Sequence, residues 1–225
     1  PLLRVHLVRI APKRAKILLA MHHLISDAWS AMVLMREWVA CFRAHMVGDA
    51  MPLPALEIQY ADYAAWQNQW MLGNDVLRLI DWWTERMVGA PALIELPHDR
   101  PRPAVSDTQG DLVAFTLDTQ TRSDLEAFAR DRSASLFMVL EALFMTLLMR
   151  HGAGEDMVLG TPVANREHTG TLDLLGFFVN TVLLRSQPEH HLRFDDYVNR
   201  VRDDTRHALA HQALPFDRLV EELKP

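Results

Sequence analysis

One cysteine, Cys41, occurs in 225 residues, so an internal disulfide and a cysteine-built metal cage are excluded by counting. Basic charge is not in excess either. Twenty-three Lys plus Arg against 29 Asp plus Glu leave a net −6, whereas a protein that neutralises phosphates carries the opposite balance, and nucleic acid is not an expected partner. Long apolar runs are missing as well. The longest, Leu136 to Met149, is interrupted by Glu141 and falls short of the roughly 20 residues needed to cross a bilayer. It reads as a buried core helix, and no membrane is expected as a partner. No basic, apolar leader opens the chain, and Pro1 stands where an initiator Met is usual, so a cytoplasmic piece of something longer is the expectation. What is present is 49% hydrophobic, with 9 Phe and 6 Trp, enough apolar material for one large domain or two lobes and too much for disorder.

Periodicity divides the chain into alternating elements. A basic turn at Ala11 to Lys16 precedes a short apolar strand, Ile17 to Met21, that delivers His22 and His23 at its end. Ser26 or Asp27 can cap the following helix, which runs to Gly48. Helices are expected at Gln59 to Met71, with Tyr60, Tyr63, Trp66 and Trp70 along one face, and at Asp75 to Val88. The aromatic face reads as core packing. Four prolines between Pro91 and Pro103 stop helix and mark a crossing segment. Beyond it come an expected strand at Leu112 to Leu117, helices from Thr121 to Arg132 and Leu136 to Arg150, and strands at Met157 to Gly160 and Gly176 to Leu184. An amphipathic helix from Phe194 to His211 follows. The layout is mixed α/β, without internal repeats.

The chemistry concentrates at Met21 to Ser30, MHHLISDAWS. Adjacent strand residues point to opposite faces, so one histidine would face a site and the other would support it. Imidazole is the usual general base near neutral pH, and His23 is suited to accept a proton. Asp27, four residues on, can turn back to orient the imidazole or brace the loop. A metal site is not expected, because the segment offers neither a His pair at helical i, i+4 spacing nor a cysteine.

This segment strongly resembles the HHxxxDG signature of condensation domains from nonribosomal peptide synthetases. Further matches follow in the family's order: YADYAAW at Tyr60 to Trp66, LPHDRPRP at Leu96 to Pro103, GTPVANR and LLGFFVNT at Gly160 to Arg166 and Leu174 to Thr181, and HQALPFDRLV at His211 to Val220. The resemblance implies a chloramphenicol acetyltransferase-like, two-lobed α/β fold with a tunnel between the lobes, here as a partial domain. Residues 1–90 would belong to the N-terminal lobe, 91–104 to the crossing segment and 105–225 to the C-terminal lobe. The family's opening and last motifs lack counterparts here, and the resemblance implies an incomplete sheet with exposed apolar faces and poor solubility.

It also implies a function: amide-bond formation between a donor thioester and an aminoacyl acceptor, each on the phosphopantetheine arm of a carrier protein. The domain itself would bind no cofactor. Partners would be an upstream donor carrier, a downstream acceptor carrier and an adjoining adenylation domain. Two alternatives stay open, a stand-alone acyltransferase using coenzyme A or a carrier thioester, and a truncated piece that docks carriers without catalysis. Epimerisation and heterocyclisation are not preferred, the latter because it replaces the histidines by aspartates. By match, His23 is the catalytic residue, His22 holds the loop, and Asp27 is a structural acid whose arginine partner would lie before the His motif. Ala28 replaces the family's glycine, which matters if that position needs positive φ or close approach to substrate. Candidate substrate contacts are Asn180, Trp29 and Arg166. For Asn180 the alternative is satisfying strand-end backbone, for Trp29 core packing, and for Arg166 a surface pair with Glu167 or Asp173.

Overall fold

A computed structural model describes residues 1–99, 101 and 110–224. They form two compact units, the first from 1–80 with 162–181, the second from 81–161 with 182–225. Residues 162–181, assigned on sequence to the C-terminal lobe, thus pack with the first eighty. Arg100 and residues 102–104 of the expected crossing segment lie outside the described residues.

The first unit opens with an antiparallel hairpin of β1 (Leu3–Ala11) and β2 (Arg14–Met21). The register pairs Leu3 with Met21, Val5 with Leu19 and Leu7 with Ile17, which puts these apolar side chains on one face because side chains alternate along a strand. That face and Leu34, Met35, Trp38 and Phe42 line an apolar groove of about 820 Å³. The second of those groups belongs to α1 (Ala28–Val47), which begins where the Asp27 carboxylate accepts from the Ser30 amide and ends at Gly48 in the left-handed region, φ 80°. Both ends follow ordinary capping chemistry. The N-terminus of α2 (Tyr60–Trp70) is held by the Gln59 amide donating to the Asp62 carboxylate at 2.8 Å. Its residue Tyr63 is buried with Leu174 and Phe178.

The unit division falls inside α3 (Asn74–Met87). In the second unit α4 (Thr119–Asp131), α5 (Leu136–Leu148) and α6 (Phe194–Ala210) enclose a core of Ala129, Val139, Ala142, Met145, Met157, Tyr197, Val198 and Val201. Strands β3 (Met157–Val163) and β4 (Asn180–Ser186) pair in a two-stranded sheet, and α7 (Phe216–Leu223) follows Pro215, whose fixed φ suits a helix start. Trp83 donates its indole N–H to the His211 carbonyl at 3.1 Å, and Trp82 stacks on the His211 ring.

Three expectations change. Leu112 to Leu117 is not a strand: Leu112, Val113 and Phe115 are more than four-fifths exposed, and among the described residues no strand pairs with them. β-propensity without a neighbouring ladder does not make a strand. The interior strand starts at Asn180 rather than Gly176, leaving 176–179 as a loop. The apolar helix is core on one face only, with Val139, Ala142 and Met145 buried but Phe137, Leu140, Phe144 and Leu147 exposed. Continued by a π turn at Met149–Ala153, it makes an 18-residue stretch, Leu136–Ala153, apolar and long enough by length and composition to cross a membrane.

Candidate active site

The strand that carries the His motif ends at Met21, so His22 and His23 lie just beyond it and do not alternate as strand residues. His22 and His23 instead enter a 3₁₀ turn, His23–Ile25, capped by His22, whose Nδ1 accepts from the Leu24 amide at 3.0 Å. His22 is thereby committed to the loop through its Nδ1. His23 lies exposed in the turn. Its ring meets that of Phe177 edge-to-face, centroids 5.4 Å apart at 83°.

Beneath the turn lies a buried polar network. Asp27 does not turn back to an imidazole. Its Oδ1 accepts from the Ser30 amide at 2.7 Å and from the Arg166 guanidinium at 3.2 Å, and its Oδ2 from the Phe178 amide at 3.0 Å. The carboxylate therefore caps α1 and grips the 176–179 loop at once. Burial works against its charge, but the amides of Ser30 and Phe178 and the positive Arg166 more than offset it, and its pKa lies below the ordinary carboxylate value.

Arg166 departs from the surface-pair reading. It is neither a surface residue nor paired with Asp173, which instead binds Arg36 at 2.7 Å. Only 1% of its side chain is exposed, against 4% for that of Asp27. It donates to the carbonyls of Thr171 and Leu174 and to the Ser30 hydroxyl, and its guanidinium lies 4.0 Å from the Phe178 ring centroid. Asp27 thus has its arginine, supplied from 139 residues downstream rather than from before the His motif. Burial pulls the guanidinium's pKa down, against the opposing effect of Asp27.

The remaining members carry no expectation of a site role from sequence. The Ser30 hydroxyl donates to the Gly176 carbonyl at 2.7 Å and accepts from the Gly176 amide at 3.0 Å. Tyr60 donates its phenol to the Phe177 carbonyl at 2.9 Å, a role beyond the core packing expected of it. A Cβ on Gly176 would stand 2.1 Å from the Tyr60 ring, so glycine here permits close approach. Ser30 has a local signal, being three residues past the cap; Tyr60 and Phe177 have none, because only tertiary folding brings them to it.

Ala28 is the first residue of α1 and is not among the residues of positive φ. Backbone conformation therefore places no demand for glycine at this position. Trp29 is half-buried and donates its indole N–H to the Leu172 carbonyl at 2.9 Å. Asn180 is buried as the first residue of β4.

The condensation domain family's sequence model matches residues 1–225. One of the linear gramicidin synthase proteins of Brevibacillus parabrevis is 40% identical over 224 residues, covering 100% of this chain and 3% of that protein. Phosphinothricin tripeptide synthetase PhsC of Streptomyces viridochromogenes is 42% identical over 224 residues, 100% of this chain and 21% of its own length. Among solved structures, a four-domain nonribosomal peptide synthetase, holo-AB3403 bound to AMP and glycine, superposes with a TM-score of 0.86 at 27% identity, covering 100% of this chain and 17% of that one. The chain spans a minor part of each of these relatives. Its mixed helix and sheet is the α/β fold of such domains, and with its whole length matched the chain belongs to the condensation domain family.

Proposed function

We propose that the chain contributes to amide-bond formation between a carrier-bound acyl or peptidyl thioester and the α-amine of a carrier-bound aminoacyl group. The observation that carries this reading is His23, an exposed imidazole on a short turn whose flanks are fixed from beneath by Asp27 and Arg166. In the reaction the amine nitrogen attacks the thioester carbonyl, the C–N bond forms and the C–S bond breaks. His23 takes the amine's proton as the tetrahedral intermediate forms and returns it to the leaving thiolate. A free α-amine has a pKa of about 7.7–8.0, so a useful neutral fraction exists at pH 7 without a strong base. General acid–base help of this kind is worth about 10²- to 10⁴-fold, and holding amine and thioester together roughly 7–11 kcal/mol.

In this reading the partners are a donor and an acceptor carrier protein in a larger cytoplasmic synthetase with an adenylation domain, and phosphopantetheine belongs to the carriers. The peptide synthetases among the relatives support it. Asn180 and Trp29 remain proposed substrate contacts, whereas Arg166, whose two Nη groups donate inside the fold, is proposed as a structural partner of Asp27. The test incubates the chain with a donor-loaded and an acceptor-loaded carrier and follows the dipeptidyl carrier by intact-protein mass spectrometry. Carrier-dependent product supports the reading. Equal turnover of coenzyme A thioesters with a free amine would favour the stand-alone acyltransferase, and carrier binding without product would favour a docking piece.

A further inference from the structure

Phe177 occupies an unusual position, because its backbone is clamped while its side chain is not. The loop around it is held at Leu174 by Arg166, at Gly176 twice by Ser30, at the Phe177 carbonyl by Tyr60 and at the Phe178 amide by Asp27. The next side chain, Phe178, is buried against Tyr60, Tyr63 and the Arg166 guanidinium. Phe177 nevertheless remains 41% exposed, and among the described residues its ring meets one other, the His23 imidazole. Five backbone anchors fix this phenylalanine while 41% of its surface stays open to solvent beside the turn. Its rigidity serves the neighbour it touches.

His23 needs such a neighbour. It lies on a three-residue turn, and no buried residue belongs to that turn. An exposed imidazole on such a turn explores its rotamers freely unless something restricts it. The edge-to-face contact with Phe177 supplies a directional restraint, since aromatic pairs favour this geometry by about 0.5–1.5 kcal/mol beyond their area.

We propose that Phe177 is a positioning residue for the reaction: through its edge-to-face contact it holds the His23 imidazole in the rotamer that meets the incoming amine. This rests on the catalytic reading of His23. The Asp27–Arg166–Ser30–Tyr60 network then acts on the reaction indirectly, by aiming the Phe177 ring. Because a misplacement of about 1 Å near the reacting atoms costs on the order of 10²-fold in rate, loosening the imidazole is expected to slow transfer without weakening substrate binding.

The test uses Phe177→Ala, Phe177→Leu and Phe177→Tyr in the full chain, with two readouts. The first is the side-chain ¹H–¹³C NMR spectrum, with His23 assigned by comparison with His23→Ala. Alanine and leucine remove the ring current, so the His23 signals move and show averaged rotamers, whereas tyrosine preserves both. The second is condensation of carrier-loaded substrates, where the alanine and leucine variants lose about 10- to 100-fold in kcat at unchanged KM and tyrosine restores turnover. Unchanged His23 signals in Phe177→Ala would overturn the proposal. So would a loss confined to KM, or failure of the tyrosine variant to rescue. Absence of any condensation by the wild type would instead defeat the catalytic reading, and the NMR arm would still decide whether Phe177 holds the ring.

Discussion

Arg166→Met is the perturbation from which the structure demands most. The guanidinium lies inside the first unit with 1% of its side chain exposed, and its donors serve Asp27, Ser30 and the carbonyls of Thr171 and Leu174. Methionine fills much of the volume and removes every donor. Asp27 would keep its two amide bonds but lose its counter-charge, and two carbonyls would be left without their donor. Breaking a buried ion pair by removing one partner costs about 3–5 kcal/mol, a large share of a total domain stability of roughly 5–15 kcal/mol. Asp27→Asn leaves the buried Arg166 cation without its counter-charge and puts a donor-only NH2 where one carboxylate oxygen accepts, so its cost is of the same order, about 3–5 kcal/mol. The double variant should be less damaged than the sum of the two, with a coupling of about 1–3 kcal/mol. Urea unfolding measures these differences, and amide hydrogen exchange at Ser30 and Phe178 shows where they act. If Arg166→Met costs under about 1 kcal/mol and leaves Phe178 exchange unchanged, the network does not brace the turn.

Other outcomes follow from the same geometry. The depressed pKa of Asp27 means that its contribution is complete above the unfolded value near 3.8 and is lost as pH falls through the lower folded value. Acid unfolding below about pH 4 should therefore be steeper in the wild type than in Asp27→Asn. Glu141 has the opposite sign, its pKa raised from 4.5 to about 7 by burial and by Asp204 against the Thr205 hydrogen bond. Stability should decline between pH 4.5 and 7, by about 1.4 kcal/mol for each unit of displacement, and Glu141→Gln should flatten that slope in pH-dependent urea melts. Gly176→Ala forces the Tyr60 ring away from its Cβ, and chemical shifts at Phe177 and His23 should move while the second unit's spectrum stays constant. Ala28→Gly should lower the melting temperature slightly, at a cost of a few tenths to about 1 kcal/mol, and leave condensation unimproved, because Ala28 already sits in ordinary helical backbone.

What is legible in the sequence is whatever a local pattern encodes. Asp27 and Gly48 announce the ends of α1, and apolar spacing locates α2, α3, α4 and α6 to within about two residues. Strand β1 has its own signal in the alternation of Leu3, Val5 and Leu7 with Arg4 and His6. Leu112 to Leu117 carries a false one, because a strand is completed only by a partner and none is present for it among the described residues. The site divides in the same way. His23 and Asp27 are separated by a turn and can be paired on paper, but what each touches cannot. The Asp27–Arg166 bond spans 139 residues, and of the two roles open to Asp27, orienting the imidazole or bracing the loop, its bonds to Ser30 and Phe178 fit the second. Capping of the turn by His22 and of the helix by Asp27 redirects both side chains into the backbone. That leaves Phe177, delivered from the far end of the sequence, as the ring that His23 meets.

In the proposed reaction His23 acts on the transfer step within a frame that is independent of it. The direct measurement is His23→Ala, with single-turnover condensation of carrier-loaded donor and acceptor recorded beside carrier affinity in the same preparation. Transfer should slow by about 10²- to 10⁴-fold with carrier binding unchanged, since the exposed imidazole makes no part of the Asp27–Arg166 frame. Equal loss of transfer and binding, or undiminished transfer, would contradict it.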